Sequence, residues 1–254
     1  MSNIKNIIEY FDSVLPKTLS EDWDNDGVMV LPDGNADIKK ALIALDATSL
    51  SIERAKSIGA ELIITHHPLV FSPFASLSAD DPYGKRVIEC IKNNITVLSY
   101  HTRLDEVCGG VGDCFAALAG LRNMEKMQPC GRIGVLENEM SYKEFTEHIK
   151  RALGLGKISG VNSNGKIKRV AVIGGSGKDF ITDAKKAGAD TFLTGEVNHS
   201  GLIEAKELGL NVVCGTHYAT ENIILPRIKE LLFERFPDIE TVIMPFKAED
   251  EYGV

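Results

Sequence analysis

Three short stretches carry residue types that could bind a metal. The first is Thr65-His66-His67-Pro68-Leu69, the second His101-x-x-x-Asp105 and the third His217-x-x-x-Glu221. Mixed imidazole and carboxylate donors suit zinc, iron, manganese, cobalt or nickel. No thiolate is needed, and a magnesium cage would not use so many imidazoles. Six donors are too many for one tetrahedral ion. They suit two ions, with a carboxylate such as Asp105 or Glu221 as a bridge. Two close ions can deprotonate a shared water and polarise a substrate oxygen or nitrogen. The competing reading is structural, with His101 and His217 capping strand ends and the carboxylates solvated.

The elements that must position these residues follow from hydrophobic patterning. Glu61-Leu62-Ile63-Ile64 is a short apolar run after Gly59 and reads as a buried parallel strand. Neighbouring strand residues point to opposite faces, so His66 and His67 meet at one site only if the strand has ended. Pro68 favours that ending, because it restricts His67 to extended geometry and lacks a donor. Helices are expected over Asn3–Val14, Ser51–Gly59 and Tyr83–Asn93, with strands at Ala41–Leu45 and Ile95–Tyr100. The second half reads similarly. Strands are expected at Lys168–Ile173, Thr191–Thr194 and Asn211–Cys214, and a helix over Leu202–Leu208. Setting Ala55-Lys56-Ser57-Ile58-Gly59-Ala60 over Ala184-Lys185-Lys186-Ala187-Gly188-Ala189 places His66-His67 on Gly195-Glu196. One strand later, His101 and Asp105 fall on His217 and Glu221. The expected fold is therefore α/β, with two similar lobes duplicating a βαβαβ unit. The lobes span residues 1–125 and 126–254, with a boundary near Glu125 to Glu139. The metal site is expected between them, at strand C-terminal ends, where ligands of open α/β sheets sit.

Composition removes several function classes. The 254 residues are 44% hydrophobic and 25% charged, with a formal net charge of -8 and no block of like charge. That disfavours a nucleic-acid backbone or an anionic membrane surface as partner. Met1 to Lys5 lacks the basic and apolar regions of a signal peptide, and no apolar run approaches bilayer length. Five scattered cysteines without Cys-x-x-Cys imply reduced thiols and a cytoplasmic protein. Glu21-Asp22-Trp23-Asp24-Asn25-Asp26-Gly27 is turn chemistry, without the length and terminal glutamate of an EF-hand.

A set of motifs in fixed order adds a resemblance. Trp23-Asp24-Asn25-x-Gly27, Leu45-Asp46-Ala47-Thr48, Thr65-His66-His67-Pro68-Leu69, His101-Thr102-x-Leu104-Asp105, Gly174-Gly175-Ser176-Gly177, Thr194-Gly195-Glu196 and Gly215-Thr216-His217-x-x-x-Glu221 span the chain. Together they resemble the Nif-three-like family, also called GTP cyclohydrolase 1 type 2 homologs. The resemblance implies a dinuclear centre of two divalent transition-metal ions held by His66, His67, Asp105, His217 and Glu221. It places His101 near the metals. It also implies two related α/β lobes and a toroidal homohexamer, a trimer of dimers. Arg103 stands where asparagine is expected, and Glu106-Val107-Cys108 replaces a stretch of small residues and proline. Both departures are expected at the pocket rim, where they bear on substrate identity.

The cyclohydrolase label implies a metal-activated water attacking a nucleotide or related small molecule. The residues support hydrolysis in general and do not specify guanine. Glu196 and His101 are the candidate catalytic residues, Glu196 as a general base or as a partner holding a histidine. Gly174 to Gly177 opens a helix and could cradle an anion, but a tight strand-to-helix turn is the favoured reading. Neither a Walker A nor a Gly-x-Gly-x-x-Gly pattern is present. Three classes stay open from sequence: a metal-dependent hydrolase, a protein that stores or delivers metal, and a regulatory scaffold with a structural metal site.

Overall fold

A computed structural model describes residues 2–127, 130–163 and 165–245. The fold is mixed α/β, and the chain divides into two compact units. One comprises residues 1–103 with 225–254, the other residues 104–224.

The first unit is built on a five-stranded sheet. Its order is Glu240–Ile243, Lys40–Ala44, Leu62–Thr65, Thr96–Ser99, Gly27–Val30. The first four strands are parallel and Gly27–Val30 is an antiparallel edge. Leu62–Thr65 and Thr96–Ser99 are buried along their whole length, as expected for parallel strands covered on both faces. Helices Ser49–Ile58 and Pro82–Lys92 bring Ile52, Ala55, Val87 and Cys90 into one cluster with Leu42, Ile63 and Val97. Helix Ile4–Val14 buries Ile4, Ile7 and Phe11, and Phe11 stacks on Tyr100 at 5.0 Å. The helix ends obey local chemistry. The Thr48 hydroxyl accepts from Ser51 N–H, and Gly59 closes the same helix at φ +68°, a conformation that suits glycine.

In the second unit a six-stranded sheet runs Arg122–Met127, Gly131–Ser141, Lys166–Ser176, Thr191–Glu196, Asn211–Cys214, Ser159–Val161. Lys166–Ser176, Thr191–Glu196 and Asn211–Cys214 are parallel, and the flanking strands are antiparallel. One apolar cluster joins Phe115, Phe145 and Ile149 to Val170, Val172, Leu193 and Val213. The alternate residues Ala171, Phe192 and Val212 pack instead with Ile181, Ala184 and Ala205. That two-residue alternation is what a sheet covered on both faces requires.

The division of the chain differs from a single cut near residue 125. Residues Arg122–Met127 and Gly131–Ser141 pair antiparallel, so the stretch expected as a boundary lies within the second sheet. Helix Leu225–Arg235 and strand Glu240–Ile243 return to the first unit, where the strand pairs with Lys40–Ala44. Among the described residues, no helix is long and apolar enough to cross a membrane.

Candidate metal centre

Strand register brings the first group of donors together. Ala44 pairs with Thr65 and Thr65 with Ser99, so the three strand ends lie level. Two residues beyond these partners come Asp46, His67 and His101. Thr65 fixes the turn that follows, donating its hydroxyl to the His67 carbonyl at 2.8 Å. The rings of His66 and His67 lie 4.9 Å apart, and each lies near His101, at 5.2 and 5.6 Å. One donor nitrogen from each of the three lies within 4.8 Å of the other two.

The protons on these rings are held by acceptor atoms. His67 Nδ1 donates to Asp46 Oδ1 at 2.9 Å, His101 Nδ1 to Asp24 Oδ1 at 3.0 Å and His66 Nδ1 to the Tyr100 carbonyl at 3.3 Å. Carbonyl and carboxylate oxygens only accept, so each Nδ1 carries hydrogen and each Nε2 offers its lone pair. This is the tautomer a metal-binding histidine needs, and partners of this kind also raise its basicity. Asp24 does more than hold one ring, because its Oδ2 accepts from Thr102 N–H at 3.0 Å and from the Thr102 hydroxyl at 2.6 Å. Burial opposes ionisation of Asp24, but the hydrogen bonds from His101 and Thr102 outweigh it and lower its carboxyl to about 2. Asp105 sits half-buried on the short helix Thr102–Glu106, one turn past His101. It is not one of the three converging donors.

The second unit holds its own pair. His217 opens helix His217–Glu221, so both side chains lie on one face at i and i+4. His217 Nε2 lies 3.0 Å from Glu221 Oε2, and its Nδ1 meets Glu196 Oε1 at 3.0 Å. With metal–ligand bonds of about 2.0–2.2 Å, two donors on one ion stand roughly 3 Å apart. The pair therefore fits one cation. Thr216, just before it, has φ +63°, an uncommon conformation for a β-branched residue that costs on the order of 1–3 kcal/mol. The Thr216 hydroxyl, accepting from Ala219 N–H at 3.2 Å, caps the helix in this conformation.

The glycine stretch has a different role from the anion cradle considered above. Gly174, Gly175 and Ser176 remain within strand Lys166–Ser176, and the helix after them is only Ile181–Lys186. Gly175 has φ +62°, and a Cβ there would meet Glu221 Oε1 at 2.1 Å and His217 Nε2 at 3.1 Å. A Cβ on Gly195 would meet the Gly175 carbonyl at 2.5 Å and the His217 Cα at 2.8 Å. Both glycines make room for the histidine–glutamate pair.

Arg103 is also not at a rim. It is 3% exposed, and its guanidinium donates to Asp26 at 3.0 Å, Asp12 at 2.7 Å and the Leu15 carbonyl at 2.9 Å. The acidic turn Asp24–Asp26 thus grips the stretch 101–103 twice, through Asp24 at His101 and Thr102 and through Asp26 at Arg103. Glu106 and Val107 likewise turn their carbonyls to the buried Arg132, at 3.3 and 3.1 Å.

Sequence reasoning placed the imidazoles and named Glu196 as a partner, but it gave Asp46 and Asp24 no role at the histidines. Asp46 carried a usable signal, being the first carboxylate past a strand next to the histidine strand. Asp24 lies 77 residues from His101, and only the fold joins them.

Comparisons with known proteins identify the family. The family model described as Duf34/NIF3 (NGG1p interacting factor 3) matches residues 2–250. A Clostridium perfringens protein named GTP cyclohydrolase 1 type 2 homolog is 35% identical, covering 98% of each chain. A solved structure of a Bacillus cereus protein related to NIF3 superposes with a TM-score of 0.92 at 24% identity, covering 97% of this chain and 98% of that one. The reduced HcgD structure from Methanocaldococcus jannaschii gives 0.86 at 32% identity, covering 96% and 98%. With its strand-end histidines, their carboxylate partners and a family match running almost end to end, the chain belongs to the Duf34/NIF3 family.

Proposed function

We propose that the protein is a dinuclear metal-dependent hydrolase acting on a small molecule, with a nucleotide as the class its relatives' names suggest. The observation that carries this reading is the set of four imidazoles oriented through Nδ1 by oxygen acceptors, three of which bring donor nitrogens within 4.8 Å of one another. In this reading His66, His67, Asp105, His217 and Glu221 hold two divalent transition-metal ions. The triad alone and the His217–Glu221 pair alone each supply too few donors for two ions. Bound there, the ions supply Lewis acidity toward water and toward a substrate oxygen or nitrogen. The chain's own residues do the rest. Asp46, Asp24 and Glu196 fix ring orientation, and Glu196, more than half exposed, is placed to take a proton from the nucleophile. His101 lies among the donors and orients substrate beside them. A screen of nucleotides and phosphoesters against zinc, iron, manganese, cobalt and nickel tests the reading. Turnover that requires the metal and stops on chelation is expected. A fully loaded protein that turns over none of them, yet yields its ions readily to an apo-protein, would favour metal delivery instead.

The same reading includes a cytoplasmic homohexamer, a trimer of dimers. Light scattering at micromolar concentration should give six times the chain mass of 27.7 kDa. A monomeric mass would refute it.

A further inference from the structure

The single tryptophan of this chain stands beside the histidine triad and is strongly exposed. Trp23 is 60% exposed and Phe71 is 51% exposed. Such large apolar surfaces carry a function more often when they are contiguous with a site than when they are scattered. Here they are contiguous. The two rings lie 6.0 Å apart, and their distances to His101 are 5.9 and 6.2 Å. His101 in turn touches His66 and His67. One histidine therefore joins the triad to an open aromatic pair. Exposure rises along that path, from 0% at His66 through 16% for the His101 side chain to the two aromatic rings.

The backbone segments that carry the pair are tied to the rest of the unit. Trp23 belongs to the turn whose Asp24 is fixed on His101 and Thr102. Asn25 of the same turn donates its side-chain amide to the Val70 carbonyl, next to Phe71. Beyond Phe71 a pocket of about 510 Å³ is lined by Val70, Pro73, Phe74, Asp81 and Tyr83. That volume falls within the range of small-molecule sites.

We propose that Trp23 and Phe71 form a stacking shelf for a planar heteroaromatic ring of the substrate, which brings the ring's polar edge toward the histidine triad. This rests on the hydrolase reading of the triad and adds the class of group it receives. Aromatic faces bind flat rings by stacking, and every nucleobase has such a face. The shelf should therefore tolerate different bases, while selectivity among them comes from groups meeting the ring edge.

Because Trp23 is the only tryptophan, its fluorescence reports on the shelf directly. Metal-loaded full-length protein is titrated with guanosine, adenosine and cytidine monophosphates, and separately with ribose 5-phosphate, which has the sugar and phosphate but no ring. All three nucleotides should quench Trp23 saturably, and ribose 5-phosphate should not. Phe71→Ala, an exposed change, should weaken nucleotide binding about 10-fold, measured by calorimetry against the parent. Equal affinity in Phe71→Ala, or ribose 5-phosphate binding as tightly as the nucleotides, would overturn the shelf. So would quenching that follows a change in oligomer mass, which would make the aromatic pair a subunit contact. Binding is read without turnover. Saturable quenching with no product would retain the shelf and reject the hydrolase, whereas metal-dependent turnover without ring-dependent binding would do the reverse.

Discussion

Arg103→Met should destabilise the protein by about 3 kcal/mol, the largest stability loss expected of any change near the site. Removing one partner of a buried ion pair costs about 3–5 kcal/mol, because the remaining charge loses its compensation. Arg103 and Asp26 are both buried, with side-chain exposures of 4% and 0%. Methionine keeps much of the volume but none of the donors to Asp26, Asp12 and the Leu15 carbonyl. It also removes the guanidinium 5.4 Å from the Tyr100 ring centroid, a cation–π contact worth about 0.5–2 kcal/mol. Two features hold the figure at the lower end. Lys17 still reaches Asp26 at 2.7 Å, and Asp12 is half exposed, so solvent screens it. The denaturation midpoint in urea reads the loss, with the m-value unchanged. Adding Asp26→Leu should restore part of the stability, since deleting both charges leaves no orphan. A loss below about 0.5 kcal/mol, the size of an ordinary surface change, would show that the network does not anchor the stretch bearing His101 and Thr102.

The histidine strand was the most legible part of the chain. Three apolar residues, two imidazoles and a proline leave little choice about where a buried parallel strand ends, and Leu62–Thr65 ends there. His101 and His217 were legible for the same reason, each closely following a run of β-branched and apolar residues. Other features depended on partners far away in sequence. Nothing local in Glu240–Ile243 says that it pairs with Lys40–Ala44, so the return of the C-terminal segment was hidden. Arg103 was expected at the pocket rim as a departure from the family's asparagine. Its buried position depends on Asp12 and Asp26, 91 and 77 residues away. The run Gly174–Gly177 was open to more than one reading. Glycines before a helix suggest a phosphate loop, yet the same residues serve to admit a close neighbour, and Glu221 is that neighbour.

The second large effect concerns metal content. His66→Ala together with His217→Ala removes one donor from each unit, and both lost imidazoles have Nδ1 held by an oxygen acceptor. Changes to partners that merely orient such ligands typically cost 10–100-fold in metal affinity, so removing two ligands themselves should cost far more. Alanine is accommodated at both positions without a steric conflict, and far-ultraviolet circular dichroism establishes that the variant is folded. Elemental analysis of purified protein then decides the matter. The intact chain is expected to carry about two divalent transition-metal ions, and the folded double variant close to none. A folded double variant that retains the full metal content of the intact protein would contradict the metal centre.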